Sequence, residues 1–341
     1  MKDAVILSEG VFGTTYGKTA NGLIRYSRRF NIKAVIDSRL VGKDAGEIIN
    51  HKRSGIPVTS TMSEAFSRGG DTLVIGIASD GGVLPPEYRP YVRDALSSGK
   101  SVVNGLHEFI SDDEEFRKIA ARSGSEIIDV RKMFRDIRPQ FTGRIMEVRS
   151  KRIAVLGTDS AVGKRTTAVK LMEHLLSMGR SAQMIGTGQT AWMQGFKHTV
   201  VLDAIVNDFV SGALEKVAVE AWDEERPDFM MLEGQGSVMH PAYPGSFEII
   251  AALKPDAIIL QHSPYREFYD GFPTFRIEPV EKYIRVLELL SGKKVIAIAM
   301  NSEGGDPSQF RETMEEYRER YGLPVVDPLG DLREAGEIIT G

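Results

Sequence analysis

Short apolar runs alternate with longer segments whose apolar residues recur at helical spacing, and this rhythm starts twice along the chain. The first series predicts strands at Ala4–Leu7, Lys33–Ile36, Thr72–Ile77, Ser101–Val103 and Glu126–Val130, separated by helix-like stretches such as Glu114–Ser123. The second starts at Arg152 and predicts strands at Ile153–Leu156, Ala182–Ile185, Phe229–Leu232, Ala257–Leu260, Lys294–Ala299 and Pro324–Val326. Helices are expected there over Lys164–Met178, Val217–Asp223, Val280–Leu290 and Pro307–Tyr321. Parallel neighbours are reached only through a crossover, so strands alternating with helices indicate an α/β fold with parallel sheets. At 341 residues the chain exceeds what one core usually serves. The restart places a domain boundary near Arg149. Around it, Arg131–Arg152 carries eight Lys or Arg against two acids, which reads as a solvated linker or as cations flanking a bound anion.

The second series opens with Arg152–Thr167, RIAVLGTDSAVGKRTT: an apolar strand, a Gly-led loop, then Gly163-Lys164 at the start of a helix. Backbone N–H groups converging in such a turn, the positive end of a helix dipole and a reaching Lys together form a phosphate cradle. Gly157, Thr158, Asp159, Ser160, Ala161, Val162, Gly163, Lys164, Arg165, Thr166 and Thr167 are therefore the candidate cofactor-binding residues. Five residues, not four, separate Gly157 from Gly163, so Thr158 takes the usual first-Gly position. Arg165 stands where a Ser or Thr hydroxyl normally holds Mg²⁺, and Thr166 comes one residue late. One helical position is a turn of about 100°. The loop thus supports diphosphate binding more than metal-dependent NTP cleavage. The architecture expected is an N-terminal Rossmann-like parallel-sheet domain over residues 1–149, followed by a P-loop NTPase-like α/β domain over 150–341.

Other candidates lie at expected strand ends, where open parallel sheets bind ligands. Met230–Ser237, MLEGQGS after its first Met, ends in an acid and two glycines. Glu233 can serve there as a general base, order a metal-bound water or orient an amine; the alternative is an acid paired with a surface Lys. Ile185–Thr190, IGTGQT, offers Gln189 and Thr190 to a substrate, or is a simple turn. Gln235 joins them as a candidate substrate ligand. Asp203 reads as a helix N-cap. His240 and His262 can each handle a proton near neutral pH, though a lone loop His more often only hydrogen-bonds. The guanidinium of Arg266 matches carboxylate geometry, as does Arg25 after the Gly17–Gly22 turn of the first domain; a surface ion pair is the plainer reading. No His or acid spacing suggests a structural metal. Asp80–Pro86 and Asn104–Glu108 are two more strand-end loops of the first domain, either ligand-binding or part of a domain retained for packing or dimerisation; a homo-oligomer is expected.

Composition narrows the field. Hydrophobic and charged fractions of 42% and 26% are those of a soluble globular protein. A net charge of −4 argues against nucleic-acid or anionic-membrane partners and leaves a small-molecule substrate. No run spans a membrane and the start MKDAVILSEG lacks signal-peptide order, so a cytoplasmic location is expected. The absence of Cys removes thiolate nucleophiles and thiolate metal sites. With six Asn and seven Gln, it also suits a thermophile.

LGTDSAVGKRTT and LEGQGS resemble the GTD-x-x-VGK-T loop and E-G-x-G strand end of dethiobiotin synthetase and its P-loop relatives, over the second domain alone. A fuller resemblance runs through KTANGLIRY, VIDS with GKDAGE, IGIASDGG, NGLHEFISDD, GTDSAVGK, TGQT, DAIVNDF and LEGQGS. This ordered set is similar to the DgcN-type family, domain-of-unknown-function family 1611, whose studied members are N-acetyltransferases acting on D-glutamate. The resemblance implies acetyl-CoA as cofactor, its diphosphate on the P-loop, with Glu233 or a nearby His as base and Arg266 or Arg25 for a dicarboxylate. The alternatives are an ATP-dependent ligase or kinase like dethiobiotin synthetase, with Mg²⁺ on Thr166 or Thr167 and Glu233, and a non-catalytic nucleotide-binding protein.

Overall fold

The structure is a computed structural model describing Met1–Gly341. The chain divides into two compact units. The first comprises Met1–Asp136 with Gln189–Lys197 and Asp203–Ile205; the second comprises Ile137–Gly188, His198–Leu202 and Val206–Gly341.

In the first unit, strands β1 (Lys2–Leu7), β2 (Phe30–Ile36), β3 (Val58–Thr59), β4 (Thr72–Ile75), β5 (Ser101–Asn104) and β6 (Ile127–Asp129) form one sheet in the order β3-β2-β1-β4-β5-β6. Every pairing in it is parallel, and the order is that of doubly wound dinucleotide-binding folds. Helices α1 (Lys18–Arg25), α2 (Ala45–Asn50), α3 (Met62–Ser67), α4 (Arg89–Ser97), α5 (Glu114–Ser123) and α6 (Lys132–Arg135) accompany the strands. β1 is Ala-Val-Ile-Leu through its buried part because both sheet faces are covered, leaving no polar face to alternate. Val5, Leu7, Ile36, Leu73, Ile75, Leu96 and Phe116 belong to one continuous core.

The second unit repeats the plan. Its strands β7 (Lys151–Gly157), β8 (Ala182–Ile185), β9 (Phe229–Glu233), β10 (Ala257–His262), β13 (Val295–Met300) and β14 (Val325–Val326) run β14-β13-β10-β7-β9-β8, again all parallel. An antiparallel hairpin, β11 (Phe268–Tyr269) and β12 (Phe272–Arg276), leaves the end of β10. The helices are α7 (Lys164–Ser177), α8 (Gln189–Gln194), α9 (Val210–Glu225), α10 (Ser246–Leu253), α11 (Val280–Ser291), α12 (Pro307–Tyr321) and α13 (Arg333–Thr340). Of these, α8 belongs to the first unit by its packing. The Asp306 side chain caps α12 and Pro307 starts it, as sequence rules require.

Three departures from expectation have local causes. Gly17–Gly22 is not a turn before a helix, because Lys18–Gly22 already lies in α1; a Cβ on Gly22 would stand 3.1 Å from Thr190 Cγ2, so the Gly allows α8 to lie close. Asp203 caps no long helix: it sits in a short 3-10 turn and pairs with Arg131 at 2.6 Å. Residues 137–149, placed on sequence with the first domain, pack in the second unit. The buried Glu215 carboxylate accepts from Thr142 N at 2.5 Å and Ile145 N at 3.1 Å, and Arg152 donates to Ile145 O at 2.9 Å. Two cations of this basic stretch are paired within the same unit, Arg144 with Asp223 at the surface and the largely buried Arg152 with Asp256.

That packing needs a bare α9 surface at Gly212, where an added Cβ would fall 2.1 Å from Pro139 O. Gly212→Ala must displace the 139–147 segment, since the obstacle is backbone. Overpacking of this kind costs about 1–3 kcal/mol. The expected result is a lowered melting temperature with earlier proteolytic cleavage in 137–149, and a variant as stable as the parent would contradict this packing.

Candidate functional site

The site is built at the carboxyl edge of the second sheet, where β7 lies between β10 and β9. β7 ends at Gly157, and the chain turns through Thr158–Val162 before α7 begins at Lys164. Ala161 holds φ 52° and Gly163 φ 106°, left-handed values that curl the loop so that its N–H groups converge. Lys164 bends back over the loop, its Nζ donating to Asp159 O at 2.6 Å. Behind it, Gly157 and Gly234 leave room: a Cβ on either would come within 3.0 Å of Lys164 Cδ.

The loop is anchored on three sides. Asp159 is fully buried, with Oδ1 accepting from Ser160 N at 2.6 Å and Oδ2 from Arg266 and from Asp270 N, both at 2.9 Å. Burial disfavours its charge, but His240, Arg266 and the Asp270 amide outweigh that and hold the carboxyl below the ordinary aspartate range. Thr158 donates N–H to Gln261 O, and its Oγ1 lies 3.0 Å from His262 Nδ1. Thr167 donates to Gln261 Oε1, and Asn301 Nδ2 donates to Val162 O at 3.1 Å. Gln261, Asp270 and Asn301 were not expected from the sequence. Asp270-Gly271 between aromatic residues is nonetheless a hairpin signal, with Gly271 at φ 79° supplying the turn.

Glu233, the last residue of β9, faces the loop and is buried. Its Oε1 is 2.7 Å from Arg165 Nη2 and its Oε2 accepts from Thr187 N at 3.0 Å. Thr187 Oγ1 donates to Glu233 O and accepts from Gln235 Nε2, both at 2.9 Å. The structure thus brings Glu233, Gln235, Arg165 and Lys164 together beside one loop.

Three other candidates have different employment. His240 is buried among Tyr243, Tyr269 and Phe272, and its Nδ1 accepts from Ala242 N and Tyr243 N. Its Nε2 stands 3.3 Å from Asp159 Oδ1, off the line of a hydrogen bond. With its accepting nitrogen filled, it is placed to support the loop, not to take a substrate proton. His262 is also buried, lying between Thr158 and Tyr317 Oη at 3.2 Å. Arg266 offers no open fork to a carboxylate, because Asp159, Ser160 O and Glu303 occupy it. A buried carboxylate demands a cation, and Arg266 supplies it.

The remaining substrate candidates are positioned by the first unit. Thr190 Oγ1 lies 3.3 Å from Thr19 Oγ1, and Gln189 accepts from Arg131 at 3.2 Å. Arg25 donates to Asn50 Oδ1 at 3.1 Å and to Ile49 O at 3.3 Å. Away from the loop, His198 Nε2, Glu224 and Glu225 bring three metal-capable atoms within 4.8 Å of one another, a grouping that sequence spacing does not reveal. No helix is long and apolar enough to cross a membrane.

Comparison with known proteins agrees with this architecture. A family model described as a domain of unknown function (DUF1611_C), P-loop domain, matches residues 139–338, and its companion, a Rossmann-like domain (DUF1611_N), matches 38–133. A protein of Pseudoalteromonas sp. named D-glutamate N-acetyltransferase is 28% identical over 80% of this chain and 81% of its own. One of the same name from Tritonibacter scottomollicae is 30% identical over 79% and 80%. The crystal structure of a DUF1611 family protein from Anabaena variabilis superposes with a TM-score of 0.91, at 28% identity over 100% of this chain and 99% of that one.

Burial pushes the His262 imidazole down to about 4 from its ordinary 6.5. The unfolded chain therefore takes up this proton first as pH falls. The stability gained by the neutral ring is complete above about pH 6.5 and is lost as pH drops towards 4, a difference of roughly 3 kcal/mol at most. Urea unfolding at about pH 7 and about pH 4.5 should show a smaller acid-induced loss in His262→Gln than in the parent. Equal losses would mean that His262 is not held neutral.

Proposed function

Because the chain belongs to the DUF1611 family, we propose that it is an N-acetyltransferase that takes acetyl groups from acetyl-CoA and passes them to a small acidic amino acid such as D-glutamate. The observation that carries this reading is the P-loop with Lys164 folded across it, beside a strand-end carboxylate, in a chain whose named relatives are acetyltransferases. Coenzyme A carries a diphosphate. The amides of Ala161–Lys164 and the Lys164 ammonium suit that group, and a phosphate oxygen would take the place of Asp159 O at Nζ.

Acetyl transfer needs a neutral amine, a base for its proton and donors for the oxyanion. The amine nitrogen attacks the thioester carbonyl, the C–N bond forms, the C–S bond breaks, and coenzyme A leaves as a thiol carrying one proton. Glu233 is the base in this scheme. Each of its oxygens has one partner and so retains a lone pair for the amine proton. Gln235 Nε2 and the amides of Gln235 and Gly236 are the donors that fit the oxyanion role, because Gly234 N and Ser237 N are already given to Val155 O and Tyr243 O. With Arg266 committed to Asp159, the acceptor's carboxylates need other partners.

Incubation with acetyl-CoA and D-glutamate should yield a product heavier by one acetyl group and free coenzyme A, with L-glutamate a poorer acceptor. Mass spectra without an acetylated amino acid, under conditions where acetyl-CoA is bound, would reject the assignment; turnover of ATP with Mg²⁺ would instead favour a ligase.

Lys164→Ala should weaken acetyl-CoA binding about ten- to a hundredfold, the worth of a charge-assisted hydrogen bond. Glu233→Gln should bind the coenzyme but slow turnover by about 10² to 10⁴. Calorimetry and steady-state kinetics separate the two, and unchanged binding in Lys164→Ala would remove the loop from the mechanism.

A further inference from the structure

We propose that Arg165 is the cation with which this P-loop neutralises a diphosphate, in the place where P-loop proteins of the common pattern hold a divalent metal. A metal-binding P-loop needs a hydroxyl on the residue after its Lys and an acid at the end of a neighbouring strand. Here the hydroxyl is missing and the acid already has a cation beside it. The residue after Lys164 is Arg165, and Glu233 is committed to it at 2.7 Å. Of the two following hydroxyls, Thr167 donates to Gln261 Oε1 and so faces the sheet, while Thr166 sits one further position round the helix. The donor set does not fit a Mg²⁺ ion.

It does fit an anion. Arg165 lies in the first turn of α7, where the helix dipole and the loop amides already favour negative charge. Glu233 tethers the guanidinium through one nitrogen. Another, Nε, is buried and has no hydrogen-bond partner. A buried donor left unpaired is costly, and an oxygen of a bound phosphate would satisfy it. Gly188 keeps the space beside the guanidinium open, since a Cβ there would stand 3.3 Å from both Arg165 Nη2 and Gln235 Nε2. Glu233 thereby acts as the positioning residue for Arg165, in addition to the role given to it above.

The inference rests on the P-loop being the diphosphate site, but not on the ligand being acetyl-CoA. Calorimetric titration of the whole protein with inorganic pyrophosphate and with acetyl-CoA, each in EDTA and each in excess Mg²⁺, separates the two. Binding in EDTA should equal that in Mg²⁺. Arg165→Thr, which restores the metal-holding hydroxyl and releases Glu233, should lose about ten- to a hundredfold in EDTA and recover part of it when Mg²⁺ is added. Arg165→Lys keeps the charge and the ion pair, guards against a folding defect, and should stay metal-independent with a smaller loss. Pyrophosphate binding in EDTA without acetyl-CoA binding would support the inference while overturning the coenzyme reading. Acetyl-CoA binding only with Mg²⁺, no loss in EDTA for Arg165→Thr, or no pyrophosphate binding under either condition would overturn the inference.

Discussion

The arrangement of the P-loop depends on one buried carboxylate. Asp159 receives Ser160 N, Asp270 N and the Arg266 guanidinium, with His240 alongside, and none of its surface reaches solvent. Removing one partner of such a group costs several kcal/mol, because an ionic group deprived of water must find its stabilisation inside the protein. The constraint passes outward. Arg266 is fixed to Glu303 as well, Asp270 fixes the β11–β12 hairpin, and Tyr269 in that hairpin meets Tyr283 of α11 at 2.6 Å. A loop that must present several N–H groups to an anion gains from being rigid before the anion arrives, since less ordering remains for binding to supply.

The opposite wall works differently. Glu233 lies on β9 next to β7, so its backbone is set by the sheet, while its carboxylate is shared between Arg165 and the Thr187 amide. Thr187 returns the contact by donating to Glu233 O, and Gln235 donates to Thr187. This chain ties the ends of β8 and β9 together at the site. It is only partly closed, because Arg165 Nε has no partner, as His240 Nε2 has none beside Asp159.

Sequence reading succeeded where backbone geometry dictates residue type. A phosphate loop needs glycine and lysine at fixed offsets, and both sheets reveal themselves through near-continuous apolar strands, so the two α/β domains and residues 157–167 were legible. It failed where a side chain's partner lies far along the chain. Arg266 reads as a free carboxylate clamp until Asp159, 107 residues earlier, is seen to occupy it. Gly188-Gln189-Thr190 reads as a turn, yet Gln189 opens a helix. His240 is a case apart, since the amides filling its Nδ1 belong to the next few residues, in a loop folded so tightly that a Cβ on Gly236 would overlap Tyr243 O. Sequence supplies the presence of a His but not which nitrogen is already used.

The difference between carrying a phosphate and transferring one bears on why a P-loop would abandon its metal. Phosphoryl transfer develops charge across the β- and γ-oxygens and relies on an ion that bridges them through the reaction. Holding a coenzyme by its diphosphate requires no bond to phosphorus to change. The charge to be met is constant, so fixed donors meet it as well as an exchangeable ion does. A tethered guanidinium adds direction, because its planar donors accept phosphate only in a few orientations. Under the proposed reading it would also make the site selective, as a nucleotide arriving with its own Mg²⁺ would meet a cation already in position. On the reading proposed above, the Arg165–Glu233 pair would be the feature that separates a coenzyme-holding loop from a nucleotide-cleaving one on the same fold.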